Sequence, residues 1–339
     1  MRQVGRRRFL CLVAGATASA GFASSLLLRD RRQPGAAELQ RVERTSWALG
    51  SDVSIVALHK VEAVAKTGID AAFAELELVE GLMSIYRPGS QLSQLNRNGI
   101  LNNPHPYFVK VLQAVRNMSE RTDGAFDVTI QPLWDLYAQA KKRGELPSQL
   151  EIETTQNHVD WRNVEASKSQ VHFRREGTAI TLNGIAQGFA ADRVATTLCA
   201  HGIEHALIDT GEIGSLGAKS DGDRWKIGIQ HPRKSDAYLS LAELAGRCLA
   251  TSGDYATTFS PDFKHHHLLD PRTGYSPSEL SSVSIAANSA LEADALSTAV
   301  FVMGAESGMD LVRETPSIDA MFVLKDGRVR TTNGFPANT

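Results

Sequence analysis

Two oxygen-bearing side chains stand one helical turn apart in Glu292-Ala293-Asp294-Ala295-Leu296-Ser297-Thr298, a stretch otherwise rich in Ala and Leu. An i, i+4 spacing puts the Asp294 carboxylate and the Thr298 hydroxyl on one helix face. Hard oxygen donors of this kind suit Mg²⁺ or Ca²⁺ and not a soft metal. The same pair also reads as a capping arrangement, with Thr298 bonding back to a carbonyl of the preceding turn. Asn183-Gly184-Ile185-Ala186-Gln187-Gly188 lies where a strand pattern gives way to a helical one. Glycines there let a ligand approach backbone amides, and a helix N-terminus favours an anion such as phosphate; a plain tight turn has the same signature. His265-His266-His267 precede Asp270-Pro271-Arg272-Thr273-Gly274, whose residue types make a turn. Three successive histidines on a strand alternate faces, so they cannot all hold one ion. His265 and His267 would share a face and His266 the opposite one, which leaves one inward histidine for acid–base work. G-x-S-x-G, H-E-x-x-H and Walker loops do not occur, which argues against several hydrolase and NTPase chemistries.

The elements that must carry these residues follow from periodicity. Residues 44–58 alternate polar and apolar and predict a strand or hairpin. Val61, Ala65, Ile69, Ala72, Leu76 and Val79 predict a long amphipathic helix over 61–82. Pro88 and Gly89 mark 83–99 as a polar loop. Helices are expected over 106–120 and from Pro132, the first ending at Gly124 and the second running into a charged loop, KKRGELPS. VHFRREGTAITL predicts a hairpin around Glu176-Gly177. A helix follows with Ala186, Phe189, Ala190, Val194 and Leu198 on one face and Gly202 at its end. HALIDT, EIGSLGA, WKIGIQH, AELAGRCLAT, HHHLLD and SSVSIAA each predict a short strand, EADALSTAVFVMG a helix, and AMFVLKDGRVRTT a hairpin turning at Lys325-Asp326-Gly327. Strands in groups between helices give an α+β fold rather than a doubly wound one. No linker divides the body, so 34–339 is expected to be one domain.

The 339 residues carry 36 basic and 38 acidic side chains. Seven arginines and one acid fall within 1–33, so the remaining 29 basic and 37 acidic residues leave the body at −8. Such a body has no electrostatic footprint for nucleic acid. Arg6-Arg7-Arg8 directly before Phe9-Leu10 and an uncharged stretch to residue 28 is the pattern of a twin-arginine export signal, with Ala18-Ser19-Ala20 as a cleavage site; an uncleaved anchor is the alternative. Cys11, Cys199 and Cys248 have no zinc-type spacing and allow one disulfide in the body.

Taken in order, MSIYRPGSQLSQLN, DGAFDVTIQPL, LNGIAQGFAADRVA, IDTGEIGSLG, ATSGDY, HLLDPRTGYSP and LEADALSTAVFVMG resemble the ApbE family of FAD:protein FMN transferases over nearly the whole body. The resemblance implies a T-fold-like α+β single domain with mixed or antiparallel sheets and flanking helices. It implies Mg²⁺ and FAD, with FMN moved to a threonine hydroxyl of a target flavoprotein and AMP released. By the same resemblance Asp294, Thr298 and the Gly184 carbonyl are the metal ligands. His267 lies near metal and phosphates, and His267 and Asp294 are the catalytic pair. Leu49, Tyr86, Ala125, Phe126, Asp127, Thr181, Gln187 and Leu269 are the FAD contacts. Leu49 stands where the family often has Met, Thr181 where it has an acid, and Gln187 where it has Lys or Glu. The implied target is a subunit of an ion-pumping redox complex or a membrane regulator of nitrous oxide reduction, reached on the periplasmic side after export by the twin-arginine translocase. An FAD pyrophosphatase and a periplasmic flavin-binding carrier are the alternative functions.

Overall fold

The computed structural model describes residues 39–219 and 222–338; the export segment expected at 1–33 lies outside them. The first hairpin joins β1 (Gln40–Ala48) to β2 (Ser51–His59). Its two-residue turn, Leu49-Gly50, has positive φ at both positions (52° and 76°), the geometry that matches the twist of paired strands. Helix α1 (Glu62–Met83) follows as its periodicity requires, burying Ala65, Ile69, Ala72, Leu76 and Val79. Next come α2 (Gln91–Asn98), β3 (Ile100–Asn102), α3 (Pro106–Arg121), α4 (Gln131–Arg143) behind a 3₁₀ turn at Val128–Ile130, α5 (Gln149–Gln156), β4 (Val164–Ala166) and β5 (Gln170–Phe173). Then run α6 (Ala186–Ala200), β6 (His205–Asp209), β7 (Ile213–Leu216), β8 (Trp225–Gln230), β9 (Tyr238–Leu244), β10 (Cys248–Gly253), β11 (Leu280–Ala287), α7 (Ala290–Met303), α8 (Ala305–Glu314), β12 (Asp319–Leu324), β13 (Val329–Thr331) and β14 (Ala337–Asn338).

An eight-stranded antiparallel sheet, ordered β1-β2-β6-β7-β10-β11-β12-β13, is the centre. Strand alternation divides its side chains between two cores. Ile55, Ala57, Ile208, Ala250, Ile285 and Phe322 face the helices α1, α3, α6, α7 and α8. Their neighbours Val56, Leu58, Leu207, Leu249, Ala286 and Met321 face a three-stranded sheet, β14-β9-β8, through Trp225, Ile227 and Leu244. The result is three layers, with the large sheet in the middle and α7 among the helices on one of its faces. Its residues 293–297 and 299–302 are all buried, as an apolar-all-round helix must be. A smaller cluster of Leu133, Tyr137, Ile152, Phe259 and Leu269 supports the loop after β10.

Five expectations change. The stretch 83–99 is not all loop: Ser90 caps the Ser93 amide and Gly99 closes α2 in the left-handed region, which suffices for eight residues that bury Leu92 and Leu95. Residues 171–182 are not a hairpin; β5 pairs with β3 and β4, and 178–184 runs on as an irregular segment whose Ile180 is gripped at both N–H and C=O by the Asn96 side chain. AELAGRCLAT is two strands in two sheets, broken at Gly246 (φ 72°). HHHLLD is loop, touching strand geometry only in a bridge between His266 and Thr258. The loop expected over KKRGELPS is shorter, because Lys141, Lys142 and Arg143 close α4 before Gly144, and α5 follows behind a Ser148–Glu151 capping box. Cys199 is exposed and Cys248 buried, and both are unpaired thiols.

Candidate functional site

Helix α6 begins at the end of the 178–184 segment and lies directly against α7. A Cβ at Gly188 would come within 2.2 Å of the Ala290 carbonyl oxygen and 2.7 Å of Asp294 Cβ, so only glycine permits this approach. The Gly188 amide donates to Asp294 Oδ2 at 2.9 Å. In the other direction Asp192 of α6 accepts from the Ala290 and Leu291 amides and from Ser289 Oγ, capping α7 from outside its own chain segment. Asp294 is 4% exposed and so reaches its cleft from a nearly sealed position.

The cleft has two adjoining lobes of about 110 and 60 Å³, which share Ile130, Thr181, Gly184, His267, Leu268 and Thr298. The larger lobe adds Gln187 and Asp294 to this common wall. The smaller adds Ala125, Phe126, Asp127 and Leu269. Of the twelve residues expected at the site, ten therefore line one continuous space. Leu49 and Tyr86 line neither lobe. Leu49 sits at the β1–β2 turn and packs on the main core, while Ser51, two residues on, takes a place in the wall; Tyr86 is 57% exposed.

Asp294, Thr298 and Gly184 offer a carboxylate, a hydroxyl and a backbone carbonyl, an all-oxygen set that fits Mg²⁺. The fit also shows in packing: a Cβ at Gly184 would fall 3.0 Å from Thr298 Oγ1, so glycine keeps the main chain beside that hydroxyl. His267 is anchored twice on one carbonyl, its backbone N–H and its Nδ1 lying 3.0 and 3.2 Å from Thr257 O. A carbonyl only accepts, so Nδ1 carries the ring proton and Nε2 is the basic nitrogen of the neutral ring. The other two histidines leave the site. His266 is fully buried edge-on against Phe301, and burial holds its pKa down at about 4. His265, expected to share the face of His267, lies instead over Tyr137, because the segment is loop and does not alternate.

Asp127 is occupied structurally. It accepts from the Thr129 amide and hydroxyl and from the Trp161 amide, and burial still raises its pKa to about 6. Thr181 is fixed by its own amide on the Val128 carbonyl and by Asn183 N–H on its hydroxyl. Gln187 packs on Gly211 and donates to Ser51 Oγ at 3.3 Å. Spacing missed three wall residues. Glu212, 3% exposed, accepts from the Thr251 amide; Ser252 touches Thr298; and half-buried Trp134 presents an indole. Glu212 and Ser252 stand inside segments that carried the resemblance, but only their fold neighbours bring them to the cleft. Beside Glu212, Asp209 is buried at the end of β6 and its pKa is pushed up to about 7 by burial.

Comparison with known proteins identifies the family of the chain and structures of the same fold. The ApbE family model matches residues 49–322. The FAD:protein FMN transferase of Treponema pallidum (strain Nichols) is 29% identical over 325 residues, spanning 88% of this chain and 89% of the relative. The crystal structure of the ApbE protein of Thermotoga maritima superposes with a TM-score of 0.78 at 31% identity, covering 87% of this chain and 97% of the other. The apo flavinyl transferase ApbE of Pseudomonas stutzeri gives 0.77 at 28% identity, covering 89% and 99%.

Proposed function

The chain belongs to the ApbE family, and from that membership we propose that it is an FAD:protein FMN transferase, moving the FMN part of FAD to a threonine hydroxyl of a target flavoprotein and releasing AMP. The observation that carries this reading is the common wall on which Gly184, His267 and Thr298 meet, with Asp294 beside them. Asp294, Thr298 and the Gly184 carbonyl would hold Mg²⁺, which when bound supplies charge neutralisation for the pyrophosphate. His267 Nε2 is the nitrogen suited to take the proton of the incoming hydroxyl as its oxygen bonds to the FMN phosphorus. The bond from that phosphorus to the AMP oxygen breaks, and AMP leaves with the electron pair. Ala125, Phe126, Asp127 and Leu269 supply the apolar and backbone surface for a ring system in the smaller lobe; Thr181 supplies a neutral hydrogen-bonding group on the shared wall and Gln187 another in the larger lobe.

Arg6-Arg7-Arg8 supports export by the twin-arginine translocase, which would put the enzyme on the periplasmic side with its target, a membrane or exported flavoprotein. Among the described residues no helix is long and apolar enough to cross a membrane. One incubation tests the chemistry: FAD, Mg²⁺ and a protein with a threonine acceptor, followed by in-gel flavin fluorescence and AMP measurement. A fluorescent target with AMP released supports transfer. AMP without a labelled target gives an FAD pyrophosphatase, and neither product gives a flavin-binding carrier.

A further inference from the structure

Thr298 belongs to a chain of hydroxyls. Its Oγ1 is 3.1 Å from Ser252 Oγ, which is 2.8 Å from Ser297 Oγ, which donates to the Asp294 main-chain carbonyl at 2.9 Å. The last bond fixes the direction of every other. A carbonyl oxygen has no proton, so the Ser297 proton is engaged there. Ser297 must then accept from Ser252. Ser252 has one proton, now directed at Ser297, so its contact with Thr298 requires Thr298 to donate. The Thr298 proton is thereby turned onto Ser252, and its oxygen lone pairs are what remain for the cavity that Thr298 lines. A threonine in a helix would otherwise bond back to the carbonyl four residues earlier. That carbonyl is Asp294 O, where Ser297 already donates.

We propose that Ser252 and Ser297 are positioning residues that set the polarity of the Thr298 hydroxyl, making it an oxygen ligand for a hard divalent cation and removing it as a hydrogen-bond donor to phosphate. The proposal rests on the reading of Thr298 as a cation ligand given above. Ser252 lines the cleft at 4% exposure, but Ser297 is fully buried and lines neither lobe, so Ser297 cannot touch a bound cation itself.

The test is calorimetric titration of Mg²⁺ into the purified protein with saturating FAD, repeated with Mn²⁺ followed by electron paramagnetic resonance. Groups that orient a metal ligand typically change affinity by about 10- to 100-fold. Ser252→Ala, which strands the Thr298 proton, and Ser297→Ala, which leaves the Ser252 proton to fall on Thr298, should each raise the Mg²⁺ Kd by about tenfold or more. Ser252→Thr keeps the hydroxyl and should bind within about threefold of the parent. In a Thr298→Val background Ser252→Ala should have no further effect. Thermal unfolding of each variant identifies those that fold, and Ser252→Thr gives a reading if an alanine variant does not. The relay is overturned if Thr298→Val weakens Mg²⁺ binding while Ser252→Ala and Ser297→Ala bind like the parent. If Thr298→Val itself binds Mg²⁺ normally, the ligand assignment fails and the relay with it.

Discussion

Asp192 and Asp294 tie α6 and α7 together reciprocally: each carboxylate accepts backbone amides from the other's helix. Asp192 takes Ala290 N at 2.8 Å and Leu291 N at 3.1 Å, while Asp294 takes Gly188 N at 2.9 Å. The first satisfies amides at an N-terminus that would otherwise lack partners, and the second fixes the rotation of α7 against α6. Because Thr298 follows Asp294 by one turn, the same two contacts set where its hydroxyl meets the cleft. The two side-chain donors of the candidate metal face are thus positioned by helix–helix geometry, with the Gly184 carbonyl coming from the segment just before α6.

Gly188→Ala tests that geometry. The added methyl would meet Ala290 backbone at 2.2 and 2.6 Å, atoms that cannot swing aside. Separating two packed helices should cost about 2–3 kcal/mol, at the upper end of overpacking penalties. Urea unfolding measures it, and Mg²⁺ affinity should fall with it. A variant as stable as the parent would mean that α6 and α7 are less closely engaged than described.

Asp294→Asn separates charge from structure. The asparagine oxygen can still accept from Gly188 N–H, so the fold should survive, whereas the charge toward a cation is gone. Transfer at ordinary Mg²⁺ should drop below about a tenth of the parent, a loss of over 1.4 kcal/mol in transition-state stabilisation. Circular dichroism should be unchanged. Full activity in this variant would remove Asp294 from the metal site.

His267 and His266 should fail in different ways. His267→Ala should slow FMN transfer by about 10²-fold or more with little change in FAD affinity, the scale of lost acid–base help. His266→Ala empties a buried place against Phe301 and should lower stability by about 2–3 kcal/mol. Per folded molecule, its chemistry should be almost intact. Equal kinetic losses in the two folded variants would contradict the assignment.

Asp209 sets a pH dependence. Its folded pKa is raised to about 7 from 3.8, so the folded state holds a proton that the unfolded chain releases. That contribution is fully present below pH 3.8 and is lost as pH rises through 7. Asp209→Asn keeps an oxygen for the Gly211 amide and removes the titration. Its stability relative to the parent should therefore climb between about pH 4 and 7, by about 2 kcal/mol or more, and level off above. His266, held down at about 4, is common to both proteins and cancels in the difference.

Much of this was readable from the residues. Regular periodicity gave α1, α3 and α6 to within a few residues, because a buried stripe repeats every turn, while α7 was legible as an apolar run. Short elements whose stability comes from caps and tertiary contacts, α2 and α5, carry too few apolar positions to register as a pattern. The histidine run was misjudged on geometry: alternation holds only on a strand, and this loop is shaped by the Ser276, Thr257 and Tyr137 contacts around it. Asp294 and Thr298 were visible as a pair in one helix. Ser252 and Glu212 were not, since they reach the cleft through the pairing of β10 with β11 and β7, and such pairing leaves no trace in local spacing.

The cleft wall takes Ser51, Trp134, Thr181, Glu212, Ser252 and Thr298 from segments scattered along the chain, beginning in the first hairpin and ending in α7. No fragment that lacks α7 can assemble it. During synthesis the cleft does not exist until α7 has docked between sheet and helices, so a ligand of the cleft cannot template the early steps of folding. After docking the linkage reverses direction. A ligand that binds only the assembled wall stabilises everything from β2 to α7 at once, by about 2.7 kcal/mol at a concentration one hundred times its Kd. Amides in the β1–β2 hairpin and in α7, far apart in sequence, should therefore gain exchange protection together when FAD is added.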